Sequence, residues 1–248
     1  QKILLGLILA SSALSVNGQV TDAEKNLRTV KSDTVLGWKT GGVVNLGIAQ
    51  TSLTNWSAGG QNSIAANGLI SLYANKTMKK ALWETTLDLG YGILKQGTNA
   101  GWQKTDYKID LFSKLGRKLN KSWYFAGLVN FKTQMTPGYN YPNDSVKIST
   151  FLAPGYLLGA IGFEYKPNDN FSAFIAPVTL KETFVYDQKL ADAGAFGVDA
   201  AVYDDITGLL VTPGANIRSE FGGYLRMMYK KDNVQNVTFQ TKLDLCLA

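Results

Sequence analysis

The sequence predicts an all-β protein: an antiparallel up-and-down transmembrane β-barrel, with about nine strands present and the set incomplete. Three observations predict it. The first is strict two-residue alternation in "KTDYKIDLFSKLGRKLNKSWYFAGLVNFKTQM", from Lys104 to Met135. Tyr107, Ile109, Leu111 and Leu115 oppose Asp106, Lys108, Asp110 and Lys114, and Trp123, Phe125, Val129 and Phe131 oppose Asn130, Lys132 and Gln134. Successive strand side chains point to opposite faces, so these are two strands joined through "GRKLNKS". The second is that connections alternate in length along the chain, long then short, as in barrels with long loops at one end and short turns at the other. The third is an export signal at the start: Lys2, the apolar run "ILLGLILASSALSV" and small residues at Val16-Asn17-Gly18, with cleavage expected before Gln19. That run is too short to span a bilayer.

The chain divides into a signal peptide (1–18), a polar lead-in (19–36) and a β-domain (37–248). "GGVVNLGIAQTS" is the first strand. "NSIAANGLISLYANK" sets Ile64, Ala66, Ile70 and Leu72 against Ser63, Asn67, Ser71 and Asn75. "ALWETTLDLGYGILK" sets Trp83, Leu87, Leu89, Tyr91 and Ile93 against Glu84, Thr86, Asp88 and Gly90. The central hairpin supplies strands four and five. Strand six, "KISTFLAPGYLLGAIGFEYKP", is apolar on both faces, and Pro154-Gly155 marks a bulge or a bend at a rim. Strand seven, "FSAFIAPVTLK", is blurred in the same way. Strand eight, "NIRSEFGGYLRMMYKK", and strand nine, "NVTFQTKLDL", alternate cleanly, with Phe221, Leu225, Phe239 and Leu243 opposite Arg226, Glu220, Lys242 and Asp244. The segment Glu182 to Ala215 has loop composition and turn signals at Gly194, Gly208 and Pro213-Gly214, and is expected to be an extracellular loop with short strand extensions.

In a barrel of this parity the greasy face meets lipid and the charged face lines the lumen. Twelve residues are the expected lumen charges: Glu84, Asp88, Asp106, Lys108, Asp110, Lys114, Lys132, Arg218, Glu220, Arg226, Lys242 and Asp244. Mixed signs in a small barrel favour a neutralising ionic core over a permeation path. Trp83, Trp102, Trp123, Tyr124, Tyr139, Tyr141, Tyr165 and Tyr229 fall at strand ends, where a bilayer interface holds aromatics. Charged residues are only 18% and the net charge is +6. The basic clusters "MKK", "RKLNK" and "YKK" sit at separate turns, so no concentrated patch for nucleic acid is expected.

Six stretches resemble, in order, a family of Bacteroidetes outer-membrane proteins known only as a domain of unknown function. They are "NWSAGGQNS" (from Asn55), "KTDYKIDLFSKLG" (from Lys104), "WYFAGLVNFKTQMTPGY" (from Trp123), "ISTFLAPGYLLGAIGFEYKP" (from Ile148), "APVTLKETFVYDQKLADAGAFGV" (from Ala176) and "NVTFQTKLDL" (from Asn236). The resemblance implies a β-barrel in the outer membrane of a Gram-negative bacterium and brings no activity with it. Two departures stand out: Tyr107 replaces an acid usual after "KTD", and the chain ends "CLA" where the family continues into further strand. Nine strands is odd and Ala248 is not aromatic, so the chain is expected to be C-terminally truncated.

The absence of histidine excludes Ser-His and Cys-His catalysis and the usual zinc sites. An oxygen-only Ca²⁺ site remains open at Asp199, Asp204 and Asp205, beside the alternative of a solvated acidic loop. Glu84 and Asp88 form a weak carboxylate pair for glycoside chemistry. "NWSAGGQNS" lacks the Lys-Ser/Thr of a phosphate loop, and the lone Cys246 reads as an incidental thiol. The expectation is therefore an outer-membrane barrel with loops for contact or passive passage. It is not expected to be an enzyme, and no catalytic, cofactor or metal site is assigned. Expected partners are outer-membrane lipid and, during insertion, barrel-assembly machinery. A lipid-modifying enzyme and a soluble lipocalin-like barrel are the alternatives.

Overall fold

Period-two patterning becomes nine long strands in one antiparallel sheet. In chain order the computed structural model contains β1 (Gly37–Thr51), β2 (Ser63–Met78), β3 (Ala81–Gln96), β4 (Gln103–Lys118), β5 (Trp123–Thr133), β6 (Gly138–Tyr139), β7 (Lys147–Ser149), β8 (Gly155–Asn168), β9 (Phe171–Phe184), β10 (Val202–Tyr203), β11 (Leu210–Thr212), β12 (Ile217–Asn233) and β13 (Val237–Leu247). A helix α1 (Gln188–Asp192) and a 3₁₀ turn (Ala195–Gly197) lie between β9 and β10. The structure describes residues 36–53, 60–97, 101–168, 170–233 and 237–247. The expected signal peptide, nearly all of the polar lead-in and most of "NWSAGGQNS" lie outside them.

The sheet order is β1-β2-β3-β4-β5-β8-β9-β12-β13, each strand antiparallel to the next. The short pairs β6–β7 and β10–β11 are separate ribbons inside two of the long connections. The strand ends joined by 52–62, 97–102, 134–154 and 185–216 gather at one end of the sheet, and those joined by 79–80, 119–122, 169–170 and 234–236 at the other. The alternation of loop lengths is thus a real segregation by end.

One face of every strand is apolar and uncovered: Val44, Leu72, Trp83, Leu111, Phe125, Ile161, Val178, Phe221 and Leu243, one from each long strand, are all exposed. The opposite face is concave. Arg226 on β12 lies 5.4 Å from the ring centre of Phe112 on β4, although four strand spacings separate them in the sheet. In a flat sheet that separation is about 19 Å, so the sheet curls with its polar face inward. The small core sits there: Ala126, Leu128, Ala160, Phe174, Ala176 and Tyr224 are buried, with Phe112 and Leu158 packed on them.

The blurred patterns of strands six and seven have a physical cause. In β9 the register slips between Ala176 and Thr179, around Pro177. Proline has no N–H for the ladder, so the chain bulges there. Below the bulge Phe174 and Ala176 face inward; above it Thr179, Lys181 and Thr183 do, and the parity of the sequence inverts. Gly162 on β8 fits beside the bulge because a Cβ would overlap the Ile175 carbonyl. Strand six is also shorter than expected. Lys147–Ser149 is β7 in the loop, a tight bridge joins Thr150 to Ala153, and the sheet strand starts at Gly155.

The segment expected as a loop with strand extensions also carries α1 and a core of its own. Val185, Ala191 and Val198 are buried with Ala153, and Leu190, Phe196 and Ala215 pack against them. Asp187 caps α1 through the Leu190 amide, a polar residue before a short run that is easily missed in a stretch read for loop signals. The long-loop end is therefore a folded cap.

Candidate functional site

The register places all twelve expected lumen charges on the concave face, and it brings most of them together as ion pairs. Lys114 on β4 is the centre of the first group. Its Nζ lies 2.9 Å from Glu84 on β3 and 2.9 Å from Glu164 on β8, two strands away on the other side. Side-chain exposures of 17%, 18% and 12% put this trio largely out of water, where an unpaired charge is costly.

The second group joins β12 to β13. Arg226 meets Asp244 at 2.6 Å, Lys242 approaches the same carboxylate at 3.0 Å, and the Tyr224 hydroxyl donates to it at 2.7 Å. The Arg226 guanidinium also faces the rings of Phe112 and Tyr224, a cation–π arrangement that ties the polar group to the apolar core.

Near the long-loop end Glu220 holds both Lys181, at 2.8 Å, and Arg218, at 2.9 Å. Arg218 donates in turn to the Gly197 carbonyl, so this network fastens the cap to the sheet. Asp110 accepts from Asn130 at 2.7 Å and pairs with the exposed Lys132 at 3.5 Å. Asp88 accepts from the Ser71 hydroxyl. Asp106 and Lys108 face inward beside Gly92 and Gly90, with no ion pair among the described residues.

Glu164, Lys181, Tyr224 and the partners Ser71 and Asn130 complete the site, and the expected list of lumen charges lacks them. Glu164 was readable from its alternation with Phe163 and Tyr165. Lys181 was hidden by the parity change at Pro177. The proposed carboxylate pair does not form a catalytic dyad: Glu84 is taken by Lys114 and Asp88 by Ser71. Asp199, Asp204 and Asp205 are all exposed, as in the solvated acidic loop weighed beside the calcium reading. The Asp204 side chain accepts from the Ile206 and Thr207 amides and the Thr207 hydroxyl, closing the hairpin turn, and no metal-holding cluster exists among the described residues. Those hydrogen bonds, with the Thr207 amide first, hold the Asp204 carboxyl below its ordinary value.

On the concave face the ionic groups and the apolar core leave an open hollow of about 160 Å³ beside Asn130, Tyr156, Leu158, Lys181 and Cys246, below the usual size of a ligand pocket. A larger hollow of about 430 Å³, lined by Leu115, Val129, Ile161, Val178 and Leu180, opens among the apolar residues of the sheet.

The uncovered face has its own order. Trp38–Trp83, Trp123–Tyr165, Tyr165–Phe171 and Tyr229–Phe239 are ring pairs with centres 5.0 to 6.4 Å apart, all near the short turns. They form an aromatic band along that rim. Three expected members differ. Tyr124 has the inward parity, opposite Glu164, and Tyr139 and Tyr141 pair with each other in the loop that contains β6 and β7.

Residues 48–139 match the family model described as a protein of unknown function (DUF3078). The match spans β2 to β5, and the description of that model gives no activity. No curated protein and no solved structure matches the chain.

Proposed function

We propose that the chain is an outer-membrane β-barrel protein of a Gram-negative bacterium of Bacteroidetes type, exported by residues 1–18, whose capped long-loop end makes contacts outside the cell. The observation that carries this reading is the apolar face uncovered on all nine strands, bordered by an aromatic band. Water would oppose such a surface; hydrocarbon does not. From Leu157 to Tyr165 on β8 the apolar positions span eight residues, roughly 26 Å along the strand, or roughly 20 Å at the tilt of membrane strands. On β12 they run from Ile217 to Tyr229, roughly 30 Å at the same tilt. These bracket the apolar band of about 25 Å in outer-membrane barrels.

Contact is favoured over passive passage because the interior is occupied by paired charges and the Phe112–Phe174–Tyr224 core. The same feature speaks against the lipocalin-like alternative, which needs an apolar cavity. The lipid-modifying alternative is less favoured because four inward carboxylates, Glu84, Glu164, Glu220 and Asp244, each hold a cation and are poorly placed to move protons.

Cell fractionation tests the reading, together with protease added to intact cells. The protein is expected in the detergent-extractable outer-membrane fraction, with cleavage at the exposed tip around Ile206. Recovery in the soluble periplasm without detergent would reject the membrane assignment, and a tip cut only after membrane disruption would invert the topology.

A further inference from the structure

The short turns carry a charge pattern that the contact reading does not use. Ten basic residues lie in or beside them: Lys39, Lys76, Lys79, Lys80, Arg117, Lys118, Lys121, Lys166, Lys230 and Lys231. The sequence places two acids, Asp169 and Asp232, in the same turns, and Glu84 and Glu164, level with Lys39 and Lys118, are turned inward to Lys114. The cap, from Val185 to Asn216, has five aspartates and one base, Lys189. The basic turns are joined into one rim: the Lys118 amide donates to the Lys80 carbonyl, that of Lys166 to Ser122, and that of Lys230 to Asn170. Lys79, Lys80, Lys118 and Lys121 are exposed along it.

This rim stands directly above the aromatic band, where Lys76 lies 5.2 Å from the Trp38 ring centre. Aromatic side chains sit at headgroup level in a bilayer, so cations one or two residues beyond them reach the phosphate layer. A second copy of the chain is a poor partner for the rim. The acids of the cap are at the opposite end of every strand, across the membrane. We propose that the short-turn rim is a binding surface for anionic phospholipid headgroups, which recruits them into the ring of lipid around the protein. This rests on the membrane reading.

The test uses the full chain reconstituted in phosphatidylcholine vesicles containing spin-labelled phosphatidylglycerol or spin-labelled phosphatidylcholine. The fraction of each label immobilised by the protein is read by electron paramagnetic resonance. One Lys near an anionic surface is worth about 1 kcal/mol, so a preference of about fivefold for phosphatidylglycerol is expected at low salt. It should collapse in 1 M NaCl, where the Debye length is about 3 Å. The variant K79Q/K80Q/K121Q should lose most of the preference. The matched variant K95Q/K104Q/K189Q, altered at the long-loop end, should keep it.

Equal immobilisation of both lipids would overturn the proposal and leave the membrane reading intact, with an acidic protein or another polyanion as the rim's occupant. Equal loss in the two variants would assign the preference to total charge and overturn it too. No immobilised lipid of either kind, with the protein free of the vesicles, would defeat the membrane reading itself.

Discussion

Replacing Lys114 with Met should expose how much of the sheet depends on its interior charges. Lys114→Met keeps an unbranched side chain of similar length and removes only the ammonium. Glu84 and Glu164, each 2.9 Å from Nζ in the native protein, then lose the cation they share. Removing one member of a largely buried ion pair costs about 3–5 kcal/mol, because the remaining charge stays out of water unpaired. With a denaturant slope of about 2 kcal/mol per molar, that lowers the urea midpoint by roughly 1.5–2.5 M. The assay is urea unfolding of vesicle-reconstituted protein, followed by tryptophan fluorescence and by the gel band shift of folded barrels. Two controls give the result its meaning. Lys132→Met removes an ion pair whose lysine is 53% exposed and 3.5 Å from Asp110, and should cost no more than about 1 kcal/mol. The triple variant E84Q/K114M/E164Q removes all three charges and should recover most of the loss, since a neutral replacement of a whole buried set is close to neutral in stability. A Lys114→Met cost no larger than that of Lys132→Met would refute the reasoning. So would a triple variant as unstable as the single one.

Three further outcomes are expected. Leu111→Arg, mid-strand on the uncovered face, should cost about 2–4 kcal/mol in a bilayer, while Phe239→Arg, beside Tyr229 in the aromatic band, should cost about 0–1 kcal/mol; equal costs in reversible folding would break the depth assignment. Gly162→Ala drives a Cβ into the Ile175 carbonyl and should cost about 1–3 kcal/mol, whereas Gly159→Ala meets nothing within 4 Å and should be tolerated; thermal unfolding of the two variants separates them. At the cap, Lys147 and Asp187 pair at 2.7 Å, and that hydrogen bond first, with the Leu190 amide adding to it, holds the Asp187 carboxyl below its ordinary 3.8 while the pair raises Lys147 above 10.5. The Asp187 contribution is therefore present above pH 3.8 and lost as pH falls through the lowered value; the Lys147 contribution is present below pH 10.5 and lost as pH rises through the raised one. A spin label at Ser145→Cys, in a Cys246→Ser background, should gain mobility at both extremes and at all pH values in Asp187→Asn, and an unchanged spectrum in that variant would exclude the latch.

Sequence alone determined the strands, their number in the long sheet and which side of most of them is greasy. These follow from period-two alternation, a local property that needs no knowledge of what lies across the sheet. The twelve charges were readable for the same reason, and all have the inward parity. Tertiary structure decided which charges meet. Lys114 joins Glu164 because β4 and β8 flank β5 and the concave curl tips their side chains together, and no spacing in the chain encodes that. It decided the parity of β9, where one extra residue at Pro177 moved Lys181 to the inside and put Phe174 and Ala176 there below it. It also decided that Asp204 closes a turn and that the segment after β9 folds over its own small core. Such contacts are non-local, and a side chain's role in them depends on neighbours that the curl of the sheet brings within reach.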